Sequence, residues 1–344
     1  MNLRKRASIL LVAAAMIFSV AGCATAGESD DGFKTFRLGM VAASGSVQHK
    51  SAERFAKKIS DDSDGKLQVE VFPSGQIGSD ESLGQDLSMG GLDFAFLNQG
   101  SMAGMDPLLD FHYLPYIAAN YAQADKLFYG DGIIPTTMHE TLAKNNIRAL
   151  GWYELEYRGV STSDGAVHTP QDLEGQKIRV PGSAAIRAFF EQLHAHPTTI
   201  PFPELYTALQ QRTVDGQDNG LILTFDNRFY EINKFYTMIR HVYATGTIAM
   251  SEEAYEGLSE EEAAIVENAA QDAQTWEVAE ERKLTDSYIK KMREDGVEVT
   301  ELTESELSAF QTVGQSVWQQ MEERYGADRI AQLRQEVNAV KNLK

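Results

Sequence analysis

Cysteine is almost missing. The 344-residue chain has one, Cys23, which excludes an internal disulfide and any cysteine-rich zinc site. Base is scarce beside acid: 31 Lys and Arg stand against 50 Asp and Glu, a formal net charge of −19 at pH 7. With no concentrated basic stripe to offset that field, a phosphate backbone is repelled, and nucleic acid is excluded as a partner. Long apolar runs are also lacking. The best, residues 7–20, is about 14 residues, short of the roughly 20 that span a bilayer as a helix. The chain contains no H-E-x-x-H, no G-x-S-x-G elbow and no G-x-x-x-x-G-K-[ST] loop, and Gly130-Asp131-Gly132 lacks the third glycine of a dinucleotide fingerprint. No cofactor is expected, and catalysis has no support. What remains is an ordinary globular composition, 43% hydrophobic and 24% charged, with enough length for two domains.

The N-terminus reads as an export signal over residues 1–22: Arg4, Lys5 and Arg6 precede the apolar stretch, and small residues lead into the cysteine. The run Val20-Ala21-Gly22-Cys23 resembles the bacterial lipobox, which implies a lipid on Cys23 and attachment of the mature chain to the outer face of a membrane. Small and polar residues 23–32 suit a flexible tether. An ordinary signal peptide followed by a chance cysteine is the alternative.

From residue 33 strands alternate with helices, the rhythm of α/β architecture. Residues 36–43 read as a strand, 47–59 as a helix, 67–71 as an alternating strand, 78–89 as a helix and 92–98 as a buried strand. The intervening Asp61-Asp62-Ser63-Asp64-Gly65 is a turn and not a calcium loop, since an EF-hand register would put Ser60 and Val71 where carboxylates are required. Two further strands are predicted over 147–152 and 157–162, then 177–180 with a helix after Pro181-Gly182, and 198–200 with a helix over 204–211. Ser259 and Glu262 form a capping box for a helix in which Val266, Ala270, Ala273 and Trp276 recur at helical spacing, continuing through Leu284, Tyr288 and Met292. Thr303 and Glu306 open another. Of the seven histidines only His194 and His196 are close in sequence; before Pro197 they read as a solvent-facing helix end and not as a metal pair.

Arg179 stands in an apolar strand, KIRV, that opens into a helix. A guanidinium there must face a cleft or meet an anion. Its planar fork matches a carboxylate ligand with two parallel hydrogen bonds; a salt bridge to Asp172 or Glu174 is the alternative.

KIRVPG (177–182), PFPELYTALQQRTVDGQDN (201–219), the DLEGQ before them, FPSGQIG (72–78) and LDFAFLN (92–98) together resemble the solute-binding proteins of TRAP (tripartite ATP-independent periplasmic) transporters, over nearly all of the chain after the tether. The resemblance implies a two-domain α/β flytrap with a long inter-domain helix. Domain I would hold 33–155 plus 244–285, and domain II 156–243 plus 286–344. It implies a periplasmic or otherwise extracytoplasmic receptor, not an enzyme, that closes on a small organic acid and delivers it to membrane permease subunits. It also implies roles residue by residue. Arg179 matches the arginine that holds the substrate carboxylate, Arg158 a second arginine beside it, Asn219 a hydrogen-bonding asparagine and Phe202 an aromatic wall, for which core packing is the alternative. Gln48, Asp80, Asn98 and Gln99 fall in ligand-facing segments. The sequence departs from the pattern at Asp218 and Gly220, where Glu and Pro are commoner, and at Glu156, where glycine is common. A Glu156 carboxylate in the cleft would favour a polyhydroxylated monocarboxylate, a uronate or aldonate, over a C4-dicarboxylate; pointing outward it would say nothing. A sensory receptor and a lipid-anchored enzyme on the same scaffold are the rival readings.

Overall fold

A computed structural model describes residues 33–344. The export signal, the tether and Cys23 lie outside the described residues. The described residues form ten strands: β1 Lys34–Met40, β2 Leu67–Phe72, β3 Phe94–Leu97, β4 Ile147–Thr162, β5 Lys177–Val180, β6 His196–Thr199, β7 Gly216–Gly220, β8 Phe235–Met238, β9 Tyr243–Ser251 and β10 Glu298–Glu301. Along the main path their order is β2-β1-β3-β9-β4-β7-β5-β6, with β8 pairing both β4 and β10.

Strand β4 joins two halves of this arrangement. Its first part runs antiparallel to β9 and, through β9, to β3, while residues 158–162 leave β9 and pair with β7 and β8. The sequence suggested two strands here; the structure has one of 16 residues. The break in the pattern is a β-bulge. Between Glu154 and Tyr157 the register against β9 shifts, and Glu156 takes the left-handed conformation, φ 62°. An inserted residue reverses which face the following side chains occupy. Tyr153, Leu155 and Arg158 therefore all line one cavity, although 155 and 158 would face opposite ways in a regular strand.

The long helix starts where its capping box predicted and runs over Glu260–Glu294. Its buried stripe is Val266, Ala269, Ala270 and Ala273, then Glu277 and Glu281, then Ile289 and Met292. Trp276, expected in that stripe, is only half-buried, and the stripe passes instead through two glutamates. The helix packs on β4 and on the Val47–Asp62 helix at one end, and on the Leu221–Asp226 helix and β10 at the other. The C-terminal helices lie across both halves: Glu304–Gln320 packs on Ala184–Gln192, and Ala327–Val340 on Tyr121–Phe128 and Ile133–Lys144. Among the described residues no helix is long and apolar enough to cross a membrane, and no group of three or more His, Cys, Asp or Glu could hold a metal ion. His194 and His196 are both exposed, His194 just past the end of the Ala184–Gln192 helix and His196, contrary to the helix-end expectation, as the first residue of strand β6.

Candidate functional site

Two arginines meet at one cavity in different electrostatic states. Arg158 emerges from β4 just past the bulge, opposite Gly220 in β7. Its Nε donates to Asp218 Oδ1 (2.9 Å) and its Nη2 to Asp218 Oδ2 (2.8 Å), to the Asp218 carbonyl (2.7 Å) and to Asn219 Oδ1 (3.2 Å). Burial alone would push Asp218 up, but Arg158 and His241 hold it down at about 2. His241 Nε2 lies 3.1 Å from Asp218 Oδ1, off the line of a hydrogen bond. The charge of Arg158 is thus met within the protein.

The charge of Arg179 is not. It sits in β5 between buried Ile178 and Val180, is 2% exposed, and spends its Nε on the carbonyl of Ile200 (2.9 Å). No carboxylate among the described residues pairs with it, and neither Nη group has a protein partner; Asp172 bonds instead to the backbone of His168 and Thr169. Burial, followed by repulsion from Arg158, lowers Arg179 to about 10, so it is cationic at neutral pH. An unpaired buried cation is costly, and an arriving carboxylate removes that cost while meeting two free parallel donors.

The opposite wall comes from the first half of the chain. Asp80 opens the Asp80–Ser88 helix and is buried, its Oδ1 accepting from Asn98 N (2.9 Å). Burial lifts it to about 7, against the pull of the Asn98 N–H and of both arginines. The Asn98 side-chain oxygen accepts from Tyr113 Oη (2.5 Å) and Gly100 N (3.1 Å). Asn219 bridges its neighbours, its Nδ2 donating to Gln217 Oε1 (2.6 Å). Phe202 lines the cavity with its ring centroid 5.9 Å from the Arg179 guanidinium carbon, and packs edge-on against Phe229; wall and core are one residue here. Tyr153, Leu155, Pro181 and Leu223 complete an apolar lining.

Arg158, Arg179, Asn219, Phe202, Asp80 and Asn98 thus converge. Gln48, Gln99 and Glu156 do not line the cavity, which corrects the expectation for these three. Gln48 turns towards the long helix and donates to Glu281 Oε1 (3.0 Å). Gln99 is fully buried beneath the site, accepting from Thr247 Oγ1 (2.8 Å). Glu156 points neither into the cleft nor outward: its carboxylate accepts the backbone N–H groups of Ile222 and Leu223 at the start of the Leu221–Asp226 helix (3.0 to 3.1 Å). Sequence reasoning missed Ser101 and Tyr153, which carry no local signal, and gave Asp218 no role as partner of Arg158.

The cavity is tight. Its volume is about 30 Å³, and the two walls touch beside it. A Cβ built on Gly182 would lie 2.3 Å from the Ser101 carbonyl oxygen, and one on Gly75 3.0 Å from the Pro203 side chain. The Gly182→Val variant is therefore expected to fold normally but hold the walls apart, lowering ligand affinity about tenfold or more, since overpacking costs ~1–3 kcal/mol. Calorimetric titration beside a melting curve checks this; unchanged affinity would show that the contact is not needed for binding.

Comparison with known proteins bears on this geometry. Residues 38–324 match the model of the DctP family, bacterial extracellular solute-binding protein family 7. The chain is 28% identical over 294 residues, 85% of its length and 88% of the other's, to the 2,3-diketo-L-gulonate-binding periplasmic protein YiaO of Escherichia coli K12. It is 30% identical over 306 residues, 87% of its length and 92% of the other's, to the sialic acid-binding periplasmic protein SiaP of Vibrio cholerae. Among solved structures it is similar to the sugar acid binding protein DctPAm of Advenella mimigardefordensis in complex with galactonate, with TM-score 0.86 and 26% identity, covering 89% of this chain and 98% of that one.

Proposed function

The chain belongs to the DctP-type, family 7 solute-binding proteins of TRAP transporters, and from that premise we propose that it is the receptor for a sugar acid, a uronate or aldonate, held by its carboxylate on Arg179. The family consists of receptors for small acids that work with membrane permeases; they are not enzymes. The observation that carries the finer reading is the guanidinium of Arg179, buried and cationic, with no carboxylate partner and no partner for either Nη group among the described residues, in a cavity where Arg158 is already neutralised. One carboxylate is thus called for, not two.

The remaining lining supports hydroxyls as the rest of the ligand. Asp80, Asn98 and Asn219 offer hydrogen-bonding groups facing the arginine, and above pH 7, where it is ionised, Asp80 would repel a second carboxylate. Asp80 takes over the role that Glu156 was expected to fill. The binding of 2,3-diketo-L-gulonate, sialic acid and galactonate by the three relatives fits the same class.

In this reading the lobes, 33–155 with 244–285 and 156–243 with 286–344, hinge at the β4 bulge. A ligand touching both walls shifts the population towards closure. A lipid on Cys23 would keep the receptor beside its permease.

Thermal-shift measurements with galactonate, glucuronate and succinate test the proposal. The two sugar acids should raise the melting temperature strongly, since a ligand at 100 times its Kd adds about 2.7 kcal/mol. Stabilisation by succinate alone would instead make the chain a C4-dicarboxylate receptor. The Asp80→Asn variant keeps the Asn98 N–H contact and removes the charge, so the ratio of galactonate to succinate affinity should fall about tenfold. An unchanged ratio would remove Asp80 from the selection.

A further inference from the structure

Outside the cavity lies a second concentration of charge. Glu154 and Glu156 on β4 and Glu277 and Glu281 on the Glu260–Glu294 helix are all buried. They gather where β4 bulges and where elements of both lobes meet. Glu277 Oε2 accepts from Glu154 N (2.8 Å), and Glu281 Oε1 from Gln48 Nε2 (3.0 Å) on the Val47–Asp62 helix. Glu156 is tied to the Leu221–Asp226 helix. Three buried oxygens, Glu154 Oε1, Glu277 Oε1 and Glu281 Oε2, have no hydrogen-bond partner among the described residues.

Too little positive charge is present to ionise all four. Arg282 donates from Nε to Glu154 Oε2 (2.6 Å), yet its Nη2 is shared with Asp125 (2.7 Å) and the Tyr243 hydroxyl (3.1 Å). Asp226 faces the cluster from the Leu221–Asp226 helix and adds a further acid. Lys50 and Lys291 act on Asp226. Tyr121, Tyr129 and Tyr288 close the remaining sides as neutral phenols, with Arg240 acting on Tyr121. The described residues offer no metal-binding group. Protons are the remaining counter-charge.

We propose that Glu154, Glu156, Glu277 and Glu281 form a proton-operated latch at the hinge: the closed molecule retains protons on this cluster, and opening admits water and releases them. The proposal rests on the reading that the lobes open and close. Burial is the main cause that raises all four groups, Glu154 to about 7 and Glu156 to about 8, with repulsion from other glutamates of the cluster adding to it at Glu156, Glu277 and Glu281. The sign follows from linkage. The state with the raised pKa binds more protons, so closure is favoured at acid pH and is lost as pH rises through about 7 to 8. The left-handed Glu156 marks the same point of the strand as the segment whose backbone is already strained.

The test needs no ligand. In the Cys23→Ser chain, spin labels on Gln85→Cys and Thr213→Cys, two exposed positions on opposite lobes, report the lobe separation by pulsed electron paramagnetic resonance at pH 6 and pH 9. The closed-to-open ratio should fall at least tenfold between them, one proton being worth up to tenfold per pH unit. With Glu154→Gln, Glu156→Gln, Glu277→Gln and Glu281→Gln together, neutral mimics of the protonated groups, most of that dependence should vanish. Distance distributions identical at both pH values in the labelled protein without these substitutions, a measurement that does not depend on how the variants fold, would overturn the latch. So would a variant that keeps the full shift. Failure of galactonate to bind would leave the distances untouched, so the two readings fail separately.

Discussion

Replacement of Arg179 by alanine is expected to lower the affinity for galactonate by two to three orders of magnitude, about 3–4 kcal/mol, while leaving the melting temperature of the ligand-free protein unchanged or slightly raised. The affinity is lost because a charge-assisted, bidentate pair in a desolvated site has no replacement. Stability is kept because the side chain makes no ion pair and one hydrogen bond, to Ile200, and its removal relieves an uncompensated buried cation. Lysine should recover only part of the affinity, since it offers a point charge where a fork is needed. Calorimetric titration with melting curves checks both halves; unchanged affinity would sink the assignment, and a large drop in melting temperature would make Arg179 a structural residue.

Asp218 should behave in the opposite sense. Asp218→Ala is expected to cost about 3–5 kcal/mol of stability, because it leaves Arg158 buried and unpaired. Urea denaturation measures the loss, and ligand affinity is then read only on the fraction that folds. The same pair sets an acid limit. Asp218 is held at about 2 in the folded protein, below an unfolded value near 4, so its contribution is complete above the unfolded value. It fades as pH falls towards 2. Asp218→Asn should flatten the stability profile over that interval; an unaltered profile would mean that the pair does not contribute.

Much of the site was legible in the sequence because it sits in continuous motifs. KIRVPG carries Arg179 and the Gly182 at which the walls touch, and DGQDN carries both Asp218 and Asn219. The elements read best were those with local signals, such as the helix capped by Ser259 and Glu262. Strand β7 was harder, since Gly-Gln-Asp-Asn-Gly has poor β propensity and is held as a strand by its neighbours β4 and β5. The direction of the Glu156 side chain was left open by the sequence, for a definite reason. Extrapolating alternate faces along β4 breaks at a bulge, and the left-handed backbone that makes glycine common at this position turns its side chain towards the Leu221–Asp226 helix.

The sequence by itself determined the α/β class and the family, because periodicity, caps and contiguous motifs are local properties of the chain. Which arginine is free and which is paired was decided only by the tertiary structure, through contacts between strands some 60 residues apart. The buried glutamate cluster arose in the same way: four acids on two elements come together only when packing removes water from all of them at once. Local pattern specifies where charges lie along the chain; only desolvation and partners set what each charge can do.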